Sequence, residues 1–200
     1  MTTPDSQRWL AAATDRAVVA ALESVFADTA VAISSRGPAC WASGRCCNFE
    51  AAGHRLYVTG LEAAYTVVRA GGSAVTPEAP GAGAAGEAGR EALGEEGGQA
   101  GGAPIAQSRD RWHGGRVLSL TQVSAARARG GCPFQEANLC GVHTIKPVAC
   151  RVYFCDKSAQ AWQHDLGERM HERVRALHDR FGVPYLYAEW RGLLDMLCAT

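Results

Sequence analysis

The sequence predicts a mainly α fold, α+β only in that a minor strand element is expected, in one small cysteine-rich domain over residues 1–200. Three observations predict it. Apolar residues recur at three- and four-residue steps over 6–33 and 158–181, the period of a helix that buries one face. Only Leu56-Tyr57-Val58 reads as a strand. Seven of the eight cysteines lie in polar, Gly-rich stretches outside the apolar periods.

From the N-terminus, Trp9, Leu10, Ala13, Ala17, Val18, Ala21, Leu22, Val25 and Phe26 predict a single amphipathic helix over 6–33. Arg8, Asp15, Arg16 and Glu23 interrupt its apolar character, so it does not read as a signal peptide. Gly37 and Pro38 end it. Residues 40–54, rich in Gly, Cys and small side chains, predict a loop. Leu56–Val58 follows as a strand. Thr59-Gly60-Leu61-Glu62 then has the form of a capping box and predicts a helix over about 60–70.

Residues 71–104 differ in composition. They hold eleven of the 23 glycines, three prolines, and five glutamates against one arginine. So few large apolar groups cannot offset the entropy of ordering, which predicts a disordered insertion. Residues 117–129 predict a helix ended by Gly130 and Gly131. Trp162, Leu166, Met170, Val174, Leu177 and Phe181 form the apolar face of the 158–181 helix, which Gly182 and Pro184 stop. A short helix is expected over 187–198, with Cys198 as a small buried hydrophobe.

The formal net charge is zero, which gives no general reason to expect nucleic acid or an anionic membrane as partner. No unbroken run of about 18 apolar residues is present, so no membrane span is expected. "RDRWHGGR", Arg109 to Arg116, is basic but short, and with Arg127 and Arg129 does not make a nucleic-acid footprint. His164, His171 and His178 recur every seven residues and predict a solvated stripe beside the apolar face of the long helix. Helix rise places neighbours in that series about 10 Å apart, too far to share one ion. "VPYLYAEW", Val183 to Trp190, predicts core packing. The chain has no phosphate-cradling glycine loop, zinc-protease helix motif or nucleophile elbow.

The cysteines carry the chemistry. Cys40, Cys46 and Cys47 form one group, Cys132 and Cys140 a second, Cys150 and Cys155 a third. Without an export signal the expected compartment is the reducing cytoplasm, where clustered thiols bind metal or do redox chemistry more often than they form structural disulfides. Thiolate sulfur suits zinc, iron and iron–sulfur clusters. All seven are expected ligands, and seven exceed the four that one structural zinc requires. Two arrangements stay open: a polynuclear centre, or a four-ligand site with spare cysteines. Arg151 stands either beside the thiolates or on the surface.

"CWASGRCC", Cys40 to Cys47, followed by "CPFQEANLCGVHTIKPVACRVYFC", Cys132 to Cys155, resembles the zinc- or iron-chelating CxxCxxCC domain family. The resemblance covers roughly 40–70 and 132–155, through Cys132-Pro133-Phe134, Cys140, Lys146-Pro147, Cys150-Arg151 and Cys155. Ser43 departs from it by standing at the family's second cysteine, and His143 replaces the usual tyrosine. The resemblance implies a metal-centred domain binding zinc or iron, with an iron–sulfur cluster as one form. His143 is then the candidate substitute donor, or a loop histidine without metal. Flagellin lysine N-methylases carry a similar cysteine cluster, so a redox or methyl-transfer enzyme is the alternative, and a metal-free thiol redox switch the third reading.

Overall fold

The computed structural model describes residues 3–37, 44–71, 117–153 and 157–198. Nearly all of the expected insertion at 71–104, the basic cluster at 109–116, and Cys40, Ser43 and Cys155 lie outside them. The described residues are mainly helical, with two short antiparallel strand pairs.

Helix α1 spans Pro4–Ala12. Thr3 caps it, accepting from the Ser6 N–H at 3.2 Å, and Pro4 sits where a helix needs no N–H. The single helix expected over 6–33 is in fact two. Asp15 Oδ1 accepts from the N–H groups of Ala17 and Val18 at 2.9 and 3.0 Å, and so caps a new start for α2, Arg16–Arg36. The break turns Trp9 fully inward, where its indole N–H donates to the Pro184 carbonyl at 2.7 Å.

At 21 residues, α2 is by length and composition alone long and apolar enough to cross a membrane. Its Val18, Leu22, Val25 and Phe26 are taken up by the core, and it packs against α6 and α7, whose bounds follow.

The expected loop at 40–54 contains two short helical turns, the 3₁₀ turn η1 (Arg45–Cys47) and α3 (Phe49–Ala52). Strand β1, Tyr57–Thr59, pairs antiparallel with β4, Tyr187–Glu189, with Val58 opposite Ala188. Strand β4 therefore occupies the start of the expected 187–198 helix, and α8 runs from Trp190 to Cys198. The capping box at Thr59 and Glu62 opens α4, Gly60–Ala70, as the sequence predicts. Gly60 is required by packing: a Cβ there would lie 2.3 Å from the Trp9 ring.

Ser119 and Gln122 form a second capping box for α5, Leu120–Ala128. Two elements have no sequence forecast. The hairpin β2 (Gln135–Glu136) and β3 (Leu139–Cys140) turns through Ala137 and Asn138, both at positive φ, as a two-residue primed turn demands. Helix α6, Val148–Val152, starts after Pro147. The turn η2, Lys157–Ala159, leads into α7, Gln160–Phe181, which ends at Gly182 with φ 63°. Leu166, Met170, Val174 and Leu177 are buried as predicted.

Helix α1 packs on α4 and α8, α5 on α8, and α6 on α7. One hydrophobic core runs through all of them and includes Cys47 and Cys132. The cysteine region is thus an extension of the core.

Candidate metal centre

Three described segments carry the thiols. In the first, Gly44 adopts φ 71°, and a Cβ there would strike the Asn138 carbonyl oxygen at 2.1 Å. That close approach seats η1 against the β2–β3 turn. The Asn48 amide donates to Asn138 Oδ1 at 3.1 Å, and the Gln135 amide to the Gly44 carbonyl at 3.4 Å. The backbone completes the clamp: Cys132 N–H donates to the Cys47 carbonyl at 2.8 Å, and Glu50 N–H to the Gly130 carbonyl at 2.9 Å. Cys46 and Cys47 are thereby held against the segment bearing Cys132 and Cys140.

The third segment is α6, which carries Cys150. Its first N–H, from Val148, donates to Glu62 Oε1 at 2.9 Å. The Thr66 hydroxyl donates to the Ile145 carbonyl at 3.1 Å. Helix α4 therefore fixes where α6 begins. Arg151, left between two positions by the sequence, stacks its guanidinium 4.3 Å from the centre of the Phe26 ring.

The thiols crowd around Cys47, whose environment is set chiefly by Cys132, then by Cys140 and Cys46. These neighbours, with burial, push the Cys47 thiol far up. Donation from Cys47 draws Cys46 down to about 6, and the Lys146 ammonium pulls the same way against desolvation. Cys140 is lowered for the same leading reason. The Cys150 thiol, enclosed by protein although the residue keeps some exposure, is pushed well up by desolvation and then by the negative charge of Cys132 and Cys140.

His54, which the sequence reading did not single out, lies beside this group. Its ring is stacked on Tyr153 at 4.5 Å between centroids and meets Phe49 edge-on at 5.4 Å. One nitrogen lies against the Cys46 backbone carbonyl without a well-formed hydrogen bond. Burial holds the imidazole below its ordinary 6.5. A lone histidine outside any periodic pattern gives no sequence signal.

Of the seven expected ligands, Cys46, Cys47, Cys132, Cys140 and Cys150 are brought into one locale, and Cys40 and Cys155 lie outside the described residues. His143 is half-buried and already engaged with a partner. Among the described residues no group of three or more His, Cys, Asp or Glu side chains is placed so that it could hold a metal ion.

The remaining forecasts divide. His164 is exposed, but His171 bonds the Tyr185 hydroxyl at 2.9 Å and His178 is 1% exposed, so the three do not form a solvated stripe. The α7 helix turns His178 inward, where its Nδ1 is 2.9 Å from the Pro184 carbonyl. Core packing holds for Val183 and Trp190, whereas Tyr185, Leu186 and Tyr187 are exposed. Cys198 packs at the core margin, partly exposed, with burial pushing its thiol up to about 11.

A scan against protein-family models matches none, and searches of curated proteins and of solved structures return no match to this chain.

Proposed function

We propose that this chain binds a thiophilic metal, zinc or iron, through its clustered cysteines, with an iron–sulfur cluster as one form of the centre. The observation that supports the reading is the meeting of the Cys46, Cys47, Cys132 and Cys140 thiols, with Cys150 beside them, contributed by segments far apart in sequence. Thiols crowded together would offer a soft cation several donors at once, their protons being released on binding. The donor set fits thiophilic metals in both number and softness. Cys40 and Cys155 belong to the proposed set on the sequence pattern alone.

Zinc would supply a cross-link between the segments, and an iron–sulfur cluster would supply electron transfer. The protein's own part is to hold the sulfurs: the Cys132–Cys47 backbone bond fixes two segments, Glu62 fixes the third, and Lys146 offsets thiolate charge. Free thiols at this density belong in a reducing compartment, in keeping with the cytoplasm.

Elemental analysis, labile-sulfide assay and a visible spectrum on protein purified without oxygen test the reading. Metal is expected, and both Cys140→Ala and Cys150→Ala should bind less of it and melt at lower temperature. Unchanged metal content and melting temperature in both variants would overturn it.

A second reading, a metal-free thiol redox switch, draws support from the sulfur contacts and from the Cys46 thiol near 6, which is largely thiolate at neutral pH. Absence of metal, together with a reversible disulfide mapped to Cys46 or Cys47, would favour it.

A further inference from the structure

We propose that His54 supplies a nitrogen donor to this cysteine centre, a role that rests on the metal-binding reading above. Both of its ring nitrogens are buried and lack a hydrogen-bond partner among the described residues. A buried, unpaired imidazole is unfavourable unless a further partner completes it. The ring is gripped between Phe49 and Tyr153, so it cannot turn outward to water without breaking two aromatic contacts. Phe49 follows the Cys46-Cys47 pair by two residues, and Tyr153 lies between Cys150 and Cys155. The imidazole therefore stands where the first and third cysteine segments join.

With neither ring nitrogen engaged, either one is available as a donor. His54 would thus give the N-terminal cysteine segment the donor that Ser43 withholds, on a ring the fold already holds still. His143, the alternative suggested by the sequence, already has a partner.

Cobalt(II) titrated anaerobically into the metal-stripped full chain reads the donor set through thiolate charge-transfer and ligand-field bands. His54→Phe keeps a flat ring between Phe49 and Tyr153 and removes both nitrogens. It should bind cobalt about tenfold more weakly or worse and shift the ligand-field bands. His178→Phe removes another buried imidazole, one tied to the Pro184 carbonyl, and should leave the spectrum unchanged. A folded His54→Phe protein with wild-type bands and affinity overturns the proposal, as does an equal change in His178→Phe. X-ray absorption at the cobalt edge decides the matter without a variant at position 54: imidazole scattering retained in His143→Ala supports His54, and sulfur-only scattering overturns it. Wild-type protein that takes up no cobalt overturns the metal-binding reading itself, whereas uptake with a sulfur-only shell overturns the role of His54 alone.

Discussion

Glu62 turns its two carboxylate oxygens to different tasks. Oε2 accepts from the Thr59 N–H and hydroxyl, at 3.0 and 2.9 Å, and so starts α4. Oε1 accepts from Val148 N–H and so starts α6, two residues before Cys150. At 3% exposure these bonds have little competition from water. Glu62→Gln keeps the shape but turns an NH₂ group toward one set of donors. The loss should be about 2–3 kcal/mol, since one acceptor disappears and buried donors are left unpaired. The denaturant midpoint should fall accordingly, with weaker metal retention beside it. A variant as stable as wild type would mean that the helix starts are fixed by something else. The capping half of this residue is legible in the sequence as Thr59-x-x-Glu62. Its second bond, to a residue far along the chain, is not, because spacing reports only local partners.

Elements built on long periods matched expectation: α4 and α7 fall where spacing and caps place them. Those that failed expectation did so for local reasons. Asp15, read as an interruption of an apolar stripe, is a helix cap. The β2–β3 hairpin has two residues per strand, too few for any period, and Ala137-Asn138 lacks the glycine that usually marks such a turn. At the C-terminal end of α7, His178 gives a pH prediction. Burial lowers its pKa below the ordinary 6.5, outweighing the Val183 and Pro184 carbonyls and the charges of Glu62 and Asp179, which pull upward. Above 6.5 the ring is neutral folded or unfolded, and its contribution to stability is intact. As pH falls below 6.5 the unfolded chain takes up a proton that the folded one resists, and stability drops. Melting temperature from about pH 7.5 to about pH 5.5 should therefore fall less in His178→Gln than in wild type. Equal falls would remove His178 from the pH response.

Across the whole molecule, one core joins elements from both ends of the chain, and Cys47 and Cys132 are part of it. On the proposed function, metal binding and folding would be a single equilibrium, because the thiols of three segments stay near one another only in the folded chain. Stripping the metal with a chelator should lower the melting temperature of wild-type protein and leave that of Cys140→Ala almost unmoved. Equal shifts in the two would mean that the chelator acts elsewhere. The cysteine groups were visible in the sequence as a cluster, because seven thiols lie in Gly-rich stretches outside the apolar periods. Which of them meet around Cys47 was not visible, since that depends on the Gly44–Asn138 approach and the Cys132–Cys47 backbone bond.

That backbone bond also has a consequence in time. A ribosome releases Cys46 and Cys47 before Cys132, Cys140 or Cys150 has been polymerised, at about 5–20 residues per second. For those seconds the adjacent pair is a bare dithiol on an unfinished chain, exposed to oxidants and stray ions without the neighbours that later surround it. Only when the distal half emerges can the segments come together, so the order of synthesis makes the early thiols wait longest for protection.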